Sequence, residues 1–315
     1  MDPTAPPVVQ GIFDMIVASN GLKLHVEQQG AGSPAFVFLH YWGGSSRTWR
    51  HVVDRLSSHF RTVAFDQRGW GRSEAPATGY ALADLANDAE AVVGALALER
   101  FILVGHSMGG KVAQLLASRQ MRGLMGVALV APAPPSPMGA PLAVRQGMVS
   151  AYDTGESVEA TVAQVLAPNG LAPDDLAIVI ADSQAGAAPA KAAWPLQASQ
   201  EDISGVLADI AVPALVIAGE DDRVEPPDVL RRELLPRLPL AQLLVLPGVG
   251  HLSPLEAPDD IADLLRAFAL SLADTRDEAR SSQSPEPRCE WCGITPMEAA
   301  QKRISGRARS SSPGT

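Results

Sequence analysis

The stretch from Phe101 to Val112, FILVGHSMGGKV, constrains the fold of this chain more than any other. It begins with an apolar run of the kind that forms a strand buried on both faces. The residues after Gly110 have a helix-forming composition, so the strand is predicted to turn directly into a helix. Ser107 lies at the corner, flanked by Gly105 and Gly109 where Cβ atoms would crowd the turn. The pattern G-x-S-x-G in this setting indicates a nucleophilic serine above the edge of a sheet.

Length and composition exclude several classes of protein. The chain has 315 residues, 46% of them hydrophobic, so a sizeable core is available. Its net charge of −10 argues against nucleic acid or an anionic membrane surface as a partner. No apolar stretch approaches the ~18 residues of a membrane span, and residues 1–15 lack the segments of a signal peptide. Because both cysteines, Cys289 and Cys292, lie near the C-terminus, the folded part is expected without a disulfide, as in a cytoplasmic protein.

Short apolar runs alternate with helical patterns over much of the chain. A hairpin is predicted over residues 14–29, since Asn20-Gly21 is a favoured two-residue turn. Further buried strands are predicted at residues 35–40, 62–65, 101–104, 126–130, 214–218 and 243–246. Helices between successive strands imply parallel βαβ units. The fold class is therefore expected to be α/β, with a mostly parallel, doubly wound sheet.

The alternation breaks after Ala131, where four prolines follow within six residues. No strand pattern appears for about seventy residues, and the sheet rhythm then resumes. We therefore predict a helical cap, residues 133–205, inserted into a core formed by residues 1–132 and 206–273. From residue 274 to 315, serine, arginine, proline and glutamate dominate, so a disordered tail that adds no core is expected. Zinc needs four ligands, and the C-x-x-C pair in this tail offers two, so no metal is expected.

A serine hydroxyl at neutral pH needs a neutral imidazole to take its proton and a carboxylate to orient that imidazole. In sites of the G-x-S-x-G kind the chain order is serine, acid, histidine. Of six histidines only His251 follows Ser107, so order alone selects it. The acid is expected after the strand at 214–218, where Asp221 and Asp222 are both candidates. A tetrahedral oxyanion also needs two backbone donors, expected from the amide of Met108 and from the loop at Tyr41-Trp42.

These motifs resemble the α/β-hydrolase superfamily over roughly residues 15–272, with closest similarity to its capped esterase, lactonase and cofactor-free haloperoxidase-like group. The matching motifs, in chain order, are HYWGGS (40–45), DQRGWGRS (66–73), GHSMGG (105–110), GEDD (219–222) and GHL (250–252). The resemblance implies that Asp222 is the acid and that the amide of Trp42 is the second oxyanion donor. Tyr41 replaces the glycine usual in the family, so its phenol is expected to point into the site. A serine at position 107 argues against the branches of this fold that use an aspartate nucleophile.

The sequence thus predicts a serine hydrolase that needs no cofactor and cleaves a small or medium apolar ester or lactone through an acyl-enzyme. Tyr41, Trp49 and Trp194 are the candidates for the apolar wall of its pocket. Two alternatives stay open. The same residues could carry out peracid formation, C–C bond hydrolysis or acyl transfer, or the chain could be a ligand receptor built on this fold. A small-molecule acyl compound is the partner expected, and the sequence leaves the oligomeric state open.

Overall fold

The computed structural model describes residues 12–281 and 296–310 of the chain. Eight strands form one sheet in the order β1-β2-β4-β3-β5-β6-β7-β8. The strands are β1 Phe13–Ser19, β2 Leu22–Gln29, β3 Ala35–Leu39, β4 Thr62–Phe65, β5 Phe101–His106, β6 Leu124–Val130, β7 Ala214–Gly219 and β8 Ala241–Leu246. The β1–β2 and β2–β4 pairs are antiparallel, and the other five pairs are parallel. This confirms the predicted fold class.

Helices cover both faces of the sheet. They are α1 Arg50–Leu56, α2 Leu82–Ala95, α3 Met108–Ser118, α4 Leu142–Val149, α5 Gly155–Thr161, α6 Pro173–Ala185, α7 Ala188–Leu196, α8 Pro227–Glu233, α9 Ser253–Glu256, α10 Pro258–Ser281 and α11 Pro296–Ser310. In the part of the chain that the structure describes, no helix combines the length and the apolar character needed to cross a membrane.

Two apolar clusters hold the layers together, one on each face of the sheet. Successive residues of a strand point to opposite faces. In β3, accordingly, Val37 and Leu39 join the first cluster with α2 and α3, whereas Phe36 and Phe38 join the second with α1 and α10. Because both faces are covered, β3 is buried throughout. A parallel sheet buried in this way presents the carboxyl ends of its strands at one edge, where a site can form.

Only helices and turns occur between β6 and β7, an interval that the structure describes without a gap. It contains α4 to α7 and one π-helical turn, Val162–Leu166. This segment contacts the loop that follows β3, since Ser183 on α6 donates to the carbonyl oxygen of Gly43 at 2.9 Å. We use the word cap for residues 133–205 below. The boundaries predicted for the cap and for the core stay predictions.

The C-terminal segment holds more helix than its composition indicated. Helix α10 continues to Ser281, and α11 packs against it. Met297 and Ala300 of α11 are buried in the second cluster, so the disorder expected over residues 274–315 is corrected for these two stretches. The reason is tertiary, because a few apolar residues on one face of a polar helix suffice when α10 offers a matching face. The C-x-x-C pair, Cys289 and Cys292, lies outside the described residues.

Candidate active site

Ser107 occupies a strained corner between β5 and α3. Its backbone has φ 53° and ψ −116°, a conformation that costs a residue with a side chain on the order of 1–3 kcal/mol. The flanking glycines make the corner possible. A Cβ on Gly105 would collide with the carbonyl oxygen of Gly109, and a Cβ on Gly109 would collide with that of Leu39. The close approach of α3 to the strands thus holds the serine hydroxyl at the sheet edge.

Three side chains form one hydrogen-bonded series at this edge. The hydroxyl oxygen of Ser107 lies 2.9 Å from Nε2 of His251, and Nδ1 of His251 lies 2.9 Å from Oδ2 of Asp222. All three residues are buried. Since an ionised carboxylate can only accept, Nδ1 carries the proton and Nε2 is the acceptor for the serine hydroxyl. The arrangement can therefore remove a proton from Ser107.

Asp222, and not its neighbour, makes the contact with His251. Burial alone would raise the pKa of Asp222, but the charge and hydrogen bond of His251 outweigh burial and lower it. The amides of Glu225 and Val224 add to this effect by donating to Oδ1 at 2.9 and 2.8 Å. Asp221 is exposed, and its carboxylate accepts from the amide side chain of Asn169 at 2.7 Å. Of the two candidates left by the sequence, the structure thus brings Asp222 to the imidazole.

Hydrogen bonds to several neighbours hold the backbone around His251. Its amide donates to the carbonyl of Leu166 at 2.8 Å, and the amide of Gly250 donates to the carboxylate of Glu256 at 2.9 Å. The carbonyl of His251 accepts from Nε2 of His106 at 2.7 Å. Burial, with the charge of His251 second, lowers the pKa of His106 to about 3, so this ring stays neutral. The backbone position of His251 is therefore set by both the core and the cap.

Trp42 is held against the cap by three contacts. Its ring packs on that of Tyr152, with centroids 4.3 Å apart, and its indole N–H donates to the carbonyl of Lys191 at 3.1 Å. The hydroxyl of Tyr152 donates to the carbonyl of Trp42 at 3.0 Å. Among the described residues, no acceptor is paired with the backbone amide of Trp42 or with that of Met108, the first residue of α3. Both amides thus remain available to an oxygen of a bound molecule.

Tyr41 and Trp194 lie where the sequence predicted them, in the wall of the cavity beside Ser107. The ring of Tyr41 lies over His106, with centroids 5.2 Å apart. The left-handed conformation in this loop is taken by Gly43, at φ 102°, which explains how a tyrosine is accommodated at position 41.

Trp49 lies elsewhere, and the structure corrects its predicted role. Its fully buried side chain packs on Phe38, with ring centroids 4.9 Å apart, in the second apolar cluster. Trp49 ends the 3₁₀ turn Ser46–Trp49, and its side chain does not line the cavity. Trp49 is therefore a core residue.

A cavity of about 770 Å³ opens above Ser107 and His251, between the sheet edge and the cap. Its wall is mainly apolar, with Met138, Val144, Met148, Tyr152, Val165, Leu166 and Trp194 among its members. One buried carboxylic side chain, that of Glu225, also lines it. Sequence reasoning missed Glu225, because the loop after β7 reads as an acidic turn exposed to solvent. The available signal was its position three residues after Asp222 and directly before two prolines.

Comparison with known proteins places these features in a wider group. Residues 36–264 match the family model described as "Alpha/beta hydrolase family". The chain is 29% identical over 247 residues to 2-(acetamidomethylene)succinate hydrolase of Mesorhizobium japonicum, covering 73% of this chain and 85% of that protein. It is 29% identical over 267 residues to a non-heme haloperoxidase of Rhodococcus erythropolis, covering 79% and 97%. An esterase structure from Exiguobacterium antarcticum superposes with a TM-score of 0.76 at 22% identity, covering 82% and 99%.

Proposed function

The chain belongs to the alpha/beta hydrolase family, and from that premise we propose that it is a serine hydrolase. The proposed substrates are small to medium apolar carboxylic esters or lactones, cleaved through an acyl-enzyme. One observation carries the proposal: the series Asp222–His251–Ser107, with both hydrogen bonds at 2.9 Å, ends at the floor of a mainly apolar cavity. The relative from Mesorhizobium japonicum, 2-(acetamidomethylene)succinate hydrolase, also supports hydrolase chemistry.

The first half-reaction transfers the acyl group to the enzyme. The hydroxyl oxygen of Ser107 attacks the carbonyl carbon while Nε2 of His251 takes the hydroxyl proton, and the C=O electron pair moves onto oxygen. The amides of Trp42 and Met108 donate to that oxyanion, and one such donor is typically worth about 10²–10³-fold in rate. Asp222 stabilises the imidazolium. The C–O bond to the leaving alcohol then breaks, and the alcohol oxygen takes the proton from Nε2.

The second half-reaction returns the enzyme to its starting state. A water molecule gives a proton to Nε2 of His251 as its oxygen attacks the acyl carbon. The new oxyanion uses the same two amides. When it collapses, the bond from carbon to the Ser107 oxygen breaks, the serine regains its proton from Nε2, and the carboxylic acid leaves. With a lactone, acid and alcohol leave as one molecule.

A chain-length series of p-nitrophenyl esters tests this function. Turnover is expected, with an optimum at short to medium acyl chains that the cavity accommodates. A fluorophosphonate probe should label the wild-type protein stoichiometrically, whereas Ser107→Ala should lose both labelling and turnover and keep its circular dichroism spectrum. Ser118→Ala, at the far end of the same helix, is the matched control and should behave as wild type. Labelling that persists in Ser107→Ala, or absence of turnover throughout the series, would contradict the proposal.

A second candidate reaction uses the same acyl-enzyme with hydrogen peroxide in place of water. The haloperoxidase named among the relatives favours it, since that relative aligns over 97% of its length. Peroxide would give a proton to Nε2 of His251 as its oxygen attacks the acyl carbon. When the bond from carbon to the Ser107 oxygen breaks, the serine regains the proton and a peracid leaves. Ester cleavage in the presence of peroxide, followed by a peracid-specific halide oxidation assay, separates the two reactions. Peracid formation that depends on Ser107 supports this candidate, and carboxylic acid as the sole product excludes it.

A further inference from the structure

Glu225 places a buried carboxyl group in the wall of the cavity. The residue is 8% exposed and lines the same cavity as Ser107 and His251. Its backbone is fixed, because its amide donates to Oδ1 of Asp222 at 2.9 Å. The backbone of Glu225 is therefore held in place relative to the proposed catalytic acid. A group that recognises a substrate needs a fixed position of this kind.

The carboxyl of Glu225 has no hydrogen-bond or ion-pair partner among the described residues. Buried polar groups are seldom left in this state. The cations nearby are engaged elsewhere. Lys111 is buried and donates to the carbonyls of Ser136 and Ser199 at 2.9 and 3.4 Å.

The two arginines of the cavity wall are likewise committed. Arg223 donates to the carbonyl of Gln164 at 2.8 Å, and Arg232 pairs with Glu233 at 2.9 Å. Both are exposed at the mouth of the cavity. The hydrogen-bonding capacity of Glu225 is thus unused within the described protein and available to a molecule in the cavity.

The surroundings of this carboxyl favour its protonated form. Burial raises the pKa of Glu225 well above its ordinary value, the negative charge of Asp222 raises it further, and Lys111 opposes both. A protonated carboxyl offers one O–H donor and one carbonyl acceptor. Its complement is a neutral group that can accept and donate at once.

We propose that Glu225 forms a subsite for a neutral hydroxyl or carboxamide group, carried by the substrate away from the bond that is cleaved. This inference rests on the proposed function and narrows its substrate class to esters or lactones with an apolar body and one such polar group. An alkyl chain lying over Glu225 would strip water from the carboxyl without replacing its hydrogen bonds, which is unfavourable. An ammonium group is disfavoured, because the cavity wall carries two arginines and because burial favours the protonated form of Glu225.

Matched esters with interchangeable ends test the subsite. One set of p-nitrophenyl esters carries a methyl, hydroxyl, carboxamide or ammonium group at the end of an otherwise identical acyl chain, at several chain lengths. A second set carries the same groups on the alcohol side. The measured quantity is the ratio of kcat/KM for the hydroxyl-ended ester to that for the methyl-ended ester. In wild type this ratio should be highest at one chain length, at which the hydroxyl reaches Glu225.

Variants assign the preference to the carboxyl. Glu225→Leu should lower the ratio about tenfold or more, the scale of one lost buried hydrogen bond. Glu225→Met is a second apolar replacement in case the first folds poorly. Glu225→Gln should keep the ratio within about threefold, since an amide also donates and accepts. Asp228→Leu, exposed on α8, is the matched control and should leave the ratio as in wild type.

A binding experiment separates failure of this inference from failure of the proposed function. Ser107→Ala protein is titrated with the same esters while tryptophan fluorescence is followed, because Trp42 and Trp194 line the cavity. The hydroxyl-ended ester should bind more tightly, and adding Glu225→Leu should remove that advantage even if wild type turns over no ester. Equal ratios in wild type and Glu225→Leu would overturn the inference. A preference for the ammonium-ended ester that Glu225→Gln abolishes would also overturn it.

Discussion

The backbone carbonyl of Leu166 accepts the amide of His251 at 2.8 Å and that of Leu252 at 3.1 Å. Leu166 ends the π-helical turn Val162–Leu166 of the cap. A π-turn contains one residue more than an α-turn would, and such turns recur at functional sites. The extra residue determines the position of the Leu166 carbonyl. Through these two hydrogen bonds it also influences the position of His251 relative to Ser107. The cap thus contributes to the geometry of the site as well as to the cavity wall.

Deleting Ala163, an exposed residue inside this turn, should convert it toward an α-helical turn and move the Leu166 carbonyl. A displacement of about 1 Å at His251 is expected to lower kcat by roughly 10²-fold. KM should change less, because the side chains of the cavity wall are retained. Ester kinetics and a circular dichroism spectrum measure the effect. Ala163→Ser keeps the chain length and is the control, and an unchanged kcat in the deletion variant would show that the anchor has no catalytic consequence.

The two adjacent aspartates should differ sharply in their effect on turnover. Asp222→Asn removes the charge that orients and stabilises the imidazole of His251, and the corresponding change in a serine protease triad costs about 10⁴-fold in rate. We expect a loss of 10³–10⁴-fold in kcat by the same mechanism. Asp221→Asn should lower kcat by less than about tenfold, since its carboxylate is exposed and accepts from Asn169. Comparable losses in the two variants would contradict the assignment of the acid.

The central residues of the site could be predicted because their information is local. The glycines that permit the corner at Ser107 are its immediate neighbours in the chain. The order serine, acid, histidine leaves His251 as the single histidine, and spacing after β7 leaves two aspartates. Parallel strands then bring their carboxyl ends together, so positions far apart in the chain meet at one edge. Local pattern and sheet topology are sufficient for this part.

The residues of the cavity wall could not be predicted in the same way, because their identity depends on the direction of each side chain in three dimensions. The sequence offers no reason to treat Trp49 and Trp194 differently. Trp49 nevertheless packs in the second apolar cluster, whereas Trp194 lines the cavity. Glu225 lies in an acidic loop whose composition suggests exposure to solvent, yet it is buried in the wall of the cavity. The helix at residues 296–310 is polar on average, and only its contact with α10 reveals that a few apolar residues are buried.

That C-terminal helix leads to a stability prediction. Ala300 is 2% exposed in the second apolar cluster, so Ala300→Asp would place an unpaired charge against α10. We expect the free energy of unfolding to fall by about 1–3 kcal/mol, the typical cost of a poorly compensated buried polar group. Urea denaturation measures this value. Lys302→Asp, exposed on the same helix, controls for the effect of aspartate on α11 itself, and equal effects in both variants would mean that the helix adds nothing to the core.

Glu256 should make stability depend on pH in a direction unusual for a carboxylate. Burial raises its pKa to about 7 from an ordinary 4.5, although the amide of Gly250 opposes the shift. Because the folded state then holds this proton more tightly than the unfolded state, the stabilisation is complete below pH 4.5 and is lost as the pH rises through about 7. Above that pH the charged carboxylate remains buried near Asp222. The carboxylate therefore destabilises the fold in alkaline solution.

Glu256→Gln removes the titration and keeps an oxygen that accepts from Gly250. We expect the variant to exceed wild type in free energy of unfolding by about 1–3 kcal/mol near pH 8 and by much less near pH 5. Urea denaturation at both values gives the comparison. Glu220→Gln is the matched control, because Glu220 accepts the amide of Gly248 from the same loop at 3.1 Å but is exposed. Its difference from wild type should be the same at both pH values. If the difference in free energy of unfolding between Glu256→Gln and wild type is also independent of pH, Glu256 is not held protonated in the folded protein. The hydrogen bond from the amide of Gly250 is then made to an ionised carboxylate.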